Sequence, residues 1–414
     1  MRAIVGNFQN LVENHVPTLL AIASIFLDTY LPEDPSNESM LEYVVGLFID
    51  FEDAILFLVS VLVECAGNDE KFRVVVSFCT LCLTDNENSS KSLMPIFNEV
   101  IPTIIDNFGN LSAEDHDNLI LLFDENSFRS CPRFQKEFGN LLKKLSLLTR
   151  ETSDVQEMNR YFDYINSCFE TMRSAVVIQF IEEIKEVVHT AISILCTFPK
   201  DEWNEDYLGV EDNVYRDIKN LMLVFQGLEP FGKVTYKLLM KEDVVPRLLK
   251  SKNWREQSVG VNAILQAGSC FKGKAELKDI LERLLLFFDD YNNQHPQVRY
   301  SLCMIFGEFC DSVKPFRNIY HKEIVKAIRK FLQDPIGQIS AIGFDVAGAF
   351  FLDCDEAIAQ NYIPIFVQLI IEELQNDEST SREKAIGTLS AIITIGGTSM
   401  NPVSKNKKYI FGYI

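Results

Sequence analysis

The stretch from Asp279 to Val313, DILERLLLFFDDYNNQHPQVRYSLCMIFGEFCDSV, decides the fold. Ile280, Leu281, Leu284, Leu285 and Phe288 recur at helical spacing and give a first helix one apolar face. Asp289, Asp290 and the Tyr-Asn-Asn after them break the pattern, and Pro296 suits the first turn of a second helix. There Val298, Leu302, Ile305, Phe306 and Phe309 form a matching stripe. Neither helix can bury its stripe alone, and the pair cannot bury both. The unit needs neighbours.

The neighbours lie at a fixed interval. With Arg299 as marker, the equivalent place before an apolar helical run falls at Arg73, Asn118, Arg160, Arg216, Gln257, Arg299, Ser340 and Arg382. Successive differences are 45, 42, 56, 41, 42, 41 and 42. Paired helices repeating at roughly 40–47 residues mark a HEAT or armadillo array. The expected architecture is therefore all-α: a right-handed α-α superhelix of about nine repeats over residues 1–398, then an irregular tail, 399–414. First helices are expected on the convex face and second helices on the concave one. The interval of 56 exceeds 42 by 14 residues, which match an inter-helix insertion at 200–213, KDEWNEDYLGVEDN.

Composition agrees with a helical array. Hydrophobic residues make up 47% of the 414, while 19 glycines and 14 prolines are too sparse for an all-β chain. A formal charge of −20 disfavours direct binding to nucleic acid or an anionic membrane surface and suits basic partners. The ten cysteines fall mostly inside apolar helical runs (Cys65, Cys79, Cys82, Cys196, Cys303, Cys310), as small hydrophobes do. Cys79 and Cys82 lack a second pair at zinc spacing, so core packing is the favoured reading, in a reducing compartment. The most apolar run, Ala54 to Val63, is far short of the roughly 20 residues of a bilayer span. No signal-peptide pattern opens the chain, and the apolar start and uncapped end suggest a piece of a longer solenoid.

Nothing in the sequence points to catalysis. Five scattered histidines (His15, His116, His189, His295, His321) have no partner at ligand spacing, and phosphate-binding glycine motifs are absent. No enzyme activity, cofactor or metal is expected.

Asn253-Trp254-Arg255 before one helix and HPQVRYSLCMIFGEF from His295 to Phe309 resemble consecutive HEAT repeats of the importin-β nuclear transport receptors, most closely the importin beta-3 type. KPFRNIYHKEIVKAI, Lys314 to Ile328, resembles the first helix of the next repeat, and LMPIFNEVIPTIIDNF, Leu93 to Phe108, extends a fainter similarity. The resemblance implies a monomeric receptor that shuttles between cytoplasm and nucleus. It would bind protein cargo, phenylalanine-glycine nucleoporins and Ran-GTP. It also implies a role for the acidic insertion, where Asp201, Glu202, Trp203, Asn204, Glu205, Asp206, Glu211 and Asp212 would meet Ran or basic cargo. The plain alternative is a solvated loop with Trp203 tucked against a helix. HEAT repeats often carry a turn Asp and a second-helix Arg that form a charged ladder. Asp290 with Arg299 fits that pattern, whereas Gln257, Ser340 and Asn118 break it. Trp254 is expected to anchor a turn and pack a repeat junction. A different function class stays open: a HEAT scaffold subunit of a phosphatase-like or other multi-protein complex.

Overall fold

The structure is a computed structural model that describes residues 101–102, 104–106, 108–110, 132–171, 178–197, 219–241, 244–268, 271, 273–352, 354–376 and 381–396. The insertion 200–213, the tail 399–414, the markers Arg73, Asn118 and Arg216, and Cys65, Cys79 and Cys82 lie outside the described residues. The chain divides into two compact units, Met1–Thr190 and Ala191–Ile414. Every described element is helical or a turn, with no strand among the described residues.

In the first unit α1 (Pro132–Glu151) and α2 (Val155–Thr171) form a helical pair, and α3 begins the next (Ile181–Leu195). The α1–α2 turn is read directly from its residues. Asp154 caps α2 by accepting from the Gln156 amide at 2.7 Å, and Thr152 donates to Glu157 at 2.6 Å. A side-chain acceptor there satisfies amides that the helix itself cannot. The apolar faces close over Phe134, Phe138, Leu141, Phe162 and Phe169, all fully buried.

The second unit continues with α4 (Lys219–Gly227), α5 (Lys233–Tyr236), α6 (Val244–Leu249), α7 (Trp254–Gln266), α8 (Lys274–Leu285) and α9 (Pro296–Ser312). Beyond these lie α10 (Lys314–Ile319), α11 (His321–Leu332), α12 (Gly337–Leu352), α13 (Glu356–Ala359), α14 (Ile363–Gln375) and α15 (Arg382–Gly396). The second helices α4, α7, α9, α12 and α15 each pack on the next, while α6, α11 and α14 pack on α7, α12 and α15. The opening stretch folds as its periodicity predicts. Pro296 sits in the first turn of α9, and His295 caps it by accepting from the Gln297 amide at 3.2 Å.

Two first helices are each interrupted. Lys314 to Ile328 is split at Tyr320, whose φ of −113° and ψ of 24° end α10 before α11 begins. The first helix of the sixth repeat is interrupted by a π-helical turn at Lys237–Lys241 before α6. A wider turn of this kind accommodates one extra residue and re-aims the helix beyond it.

The repeat period is written in the side-chain contacts themselves. Trp254 stacks on His295 and His321 meets Tyr362, each pair 41 residues apart. Lys330 reaches the Phe288 carbonyl across 42 residues. Tyr236 meets Asp279, and Tyr291 meets Asp334, across 43. Thr388 reaches the Phe344 carbonyl, and Ser381 the Gly337 carbonyl, across 44. The sixth to ninth repeats are thus each tied to the next, as expected of a solenoid.

Candidate functional site

The most developed polar constellation joins the seventh and eighth repeats and is buried. Arg299 on α9 donates from Nε to Asp334 Oδ2 at 2.8 Å and from Nη2 to Oδ1 at 3.1 Å. Tyr291 donates its hydroxyl to the same Oδ2 at 2.8 Å, and the Ile336 amide donates to Oδ1 at 3.0 Å. Arg299 Nη1 reaches the Gln294 carbonyl at 2.7 Å. Both carboxylate oxygens are therefore satisfied, which is the condition for a charge to be stable at 0% side-chain exposure. Burial and the facing Asp334 carboxylate push the Tyr291 hydroxyl well above the usual phenol range, so it stays a proton donor.

This corrects the sequence expectation. The acid that meets Arg299 is Asp334, from the turn of the next repeat, rather than Asp290. Asp290 is exposed and accepts instead from the Asn293 side chain at 2.5 Å. The sequence does carry the signal: Asp334 stands six residues before the marker Ser340, as Asp154 does before Arg160, where the sixth, seventh and ninth repeats have Ser251, Asn293 and Asn376. Lacking an acid ahead of it, Gln257 turns back to the Ser251 carbonyl at 2.8 Å. Ser340 bonds the Leu332 carbonyl at 3.3 Å.

Trp254 opens α7 and stacks on His295 with ring centroids 3.9 Å apart and planes 6° from parallel. The Arg255 guanidinium lies 4.6 Å from the Trp254 ring centre. Burial, with Arg255 and Arg299 nearby, lowers the His295 pKa to about 4. Neutral imidazole is what this place needs, because Nδ1 must accept from the Gln297 amide. The sequence reading of Trp254 names its repeat junction but not His295.

Burial suppresses the thiol chemistry of Cys196, Cys303, Cys310 and Cys354. Burial pushes Cys310 up to about 12, and Cys196 and Cys354 up to about 11. Such thiols are protonated at neutral pH and poor nucleophiles. Among the described residues no group of three His, Cys, Asp or Glu could hold a metal, and no described helix is long and apolar enough to cross a membrane.

In the first unit an open groove of about 470 Å³ lies between the helical residues around Ile105 and the outer face of α1. Pro102, Asp106, Arg133, Glu137, Lys144 and Leu147 line it. Its walls mix a half-exposed leucine with charges of both signs, so it suits a polypeptide better than a compact apolar ligand.

Comparison with solved structures bears on all of this architecture at once. The chain matches the crystal structure of Kap121p with a TM-score of 0.75 at 12% identity, over 94% of this chain. It matches the karyopherin Kap121p bound to the SUMO protease Ulp1p with a TM-score of 0.76 at 13% identity, over 95% of this chain. The complex of Kap121p with Nup53p gives 0.75 at 13%, also over 95%. The fold is that of a karyopherin. This chain spans 39% of the length of those structures. No protein-family model matches the sequence, and no curated protein does. Trp254, Asp334 and Arg299 make their contacts between successive repeats of this fold.

Proposed function

We propose that this chain is the HEAT solenoid of a nuclear transport receptor, an importin-like carrier rather than an enzyme, shuttling between cytoplasm and nucleus. The observation that carries the reading is the match to Kap121p over 94–95% of the chain, since solved forms of that karyopherin are bound to Ulp1p and to Nup53p. Its sequence resemblance to importin-β repeats, quoted from His295 to Phe309, points the same way without using the coordinates.

In this reading protein cargo is held by the layer of second helices and nucleoporin phenylalanines by grooves between first helices. The groove beside α1 is the first candidate for the latter. Ran-GTP controls release. The acids of the 200–213 insertion attract basic cargo or the basic surface of Ran, acting on association rate more than on final affinity. Mechanistically, cargo and Ran-GTP favour different curvatures of a one-dimensional array that has no long-range core.

The test uses the purified chain with an immobilised phenylalanine-glycine nucleoporin fragment, a basic cargo peptide, and Ran loaded with GTP or GDP. Binding of nucleoporin and cargo, with cargo displaced by the GTP form alone, is the expected result. A chain that binds none of these and instead co-purifies with a phosphatase subunit is a scaffold. Replacing the six insertion acids by Asn and Gln should slow association with the basic partner at low salt. Unchanged rate and salt dependence would make the insertion a linker.

A further inference from the structure

The junctions of the second unit are of two kinds, and they respond differently to sliding of one repeat past the next. Across α9 and α12 the tie is the buried Arg299–Asp334 pair with Tyr291. Moving these helices apart strands a carboxylate and a guanidinium in the interior. The α12–α15 junction is held differently. Thr388 Oγ1 donates to the Phe344 carbonyl at 2.6 Å and has its own helix's Lys384 carbonyl at 3.1 Å. Ser381 reaches the Gly337 carbonyl at 3.3 Å, and the charged pair, Lys384 with Asp345 at 3.0 Å, is half exposed. The α7–α9 junction repeats that design. Ser301 Oγ bonds the Gln297 carbonyl of its own helix at 2.9 Å while receiving Asn262 at 3.0 Å, and Asn262 also bonds the Ser258 carbonyl of its own helix at 2.9 Å. At these hydroxyl-linked junctions Thr388, Ser301 and Asn262 each keep an intrahelical partner when the repeats shift, so none of the three is orphaned.

We propose that the seventh and eighth repeats move as one block locked by Arg299–Asp334, and that the array flexes at the hydroxyl-linked α12–α15 junction beyond it, the α7–α9 junction being held in addition by the Trp254–His295 stack. This does not rest on the transport reading. It rests on which contacts can be exchanged and which can only be broken. Among the described junctions the adaptable joint is then one narrow seam, and any partner bridging α12 and α15 would set its angle.

The test is the spread of distances between spin labels on exposed first-helix sites, introduced as a ketone-bearing non-natural residue so that the native cysteines stay unlabelled. Labels at Glu282 and Lys326 span the locked junction, and labels at Lys326 and Gln368 span the hydroxyl-linked one. In the otherwise native chain the second distribution should be at least twice as broad as the first. Equal widths, or a broader first distribution, overturn the proposal with no further variant. Arg299→Gln combined with Asp334→Asn, checked for helicity, should broaden the first distribution toward the second. If that pair folds and the width is unchanged, the ion pair is not the lock. If it does not fold, the native comparison still decides.

Discussion

Among the described junctions, two that are joined by ion pairs stand in opposite surroundings. In the first unit α1 meets α3 through Lys143–Glu183 at 3.1 Å and Arg150–Glu186 at 2.5 Å, with side-chain exposures of 56% and 19%, and 48% and 39%. In the second unit Arg299 meets Asp334 at exposures of 7% and 0%. Water and salt screen the first set, so each pair contributes little, roughly 0.2–1 kcal/mol. The second set is shielded, and its value lies less in net stability than in the cost of losing one member. The same chemistry thus trims an outer surface in one unit and fixes the relation of two repeats in the other.

The sharpest way to break the comparison is Asp334→Ala. It leaves Arg299 and Tyr291 buried without their acceptor, and should destabilise the second unit by roughly 3–5 kcal/mol, read as a lower denaturant midpoint. A loss below about 1 kcal/mol would mean that the pair is hydrated after all. Gly343→Ala tests packing beside the lock without touching charge. A Cβ there would stand 2.9 Å from the Phe331 Cβ and 3.1 Å from the Leu332 backbone nitrogen. The helices α11 and α12 must part, costing roughly 1–3 kcal/mol in chemical denaturation.

What the sequence reveals of this molecule divides along physical lines. Helix pairs and their 42-residue register are visible because amphipathic spacing and turn chemistry are local, as in Pro296 or the Thr152–Asp154 turn. The partner of Arg299 is not local. Asp290 is closer in sequence, but the charge is neutralised across the junction, where only alignment of one turn with the next points to Asp334. The breaks at Tyr320 and Lys237–Lys241 are hidden too, since each half keeps its apolar face and only tertiary packing decides whether the halves are collinear. Of the candidate site residues, Trp254 and Arg299 lie at joints, Asp290 lies in solvent, and the acids of the insertion lie outside the described residues.

A smaller effect concerns His295 at the preceding joint. Its folded pKa is lowered to about 4 from an ordinary 6.5, so folding favours the neutral ring. That contribution is fully present above about pH 6.5 and is lost as pH falls through the folded value near 4. His295→Asn keeps a capping acceptor but removes the titration. Its Tm should fall less than the parent's between pH 7 and pH 4.5, and parallel curves would exclude the effect. The smallest change is expected at the surface pairs. Glu183→Gln should alter stability by less than about 1 kcal/mol, with even that difference gone in 1 M salt. A larger, salt-resistant loss would mean that the two kinds of ion pair are not distinct.

The described ties between repeats span 35 to 44 residues in a chain of 414. Contacts that short relative to chain length, a ratio of about 0.1, belong to the fast-folding helical class. During synthesis at about 5–20 residues per second, the next 42-residue repeat emerges within about 2–8 seconds. The nascent protein therefore need never hold more than one unpaired apolar face at a time. Ribosome-arrested chains lengthened in 42-residue steps should gain protease resistance one step at a time, and the step that delivers Asp334 should be the largest.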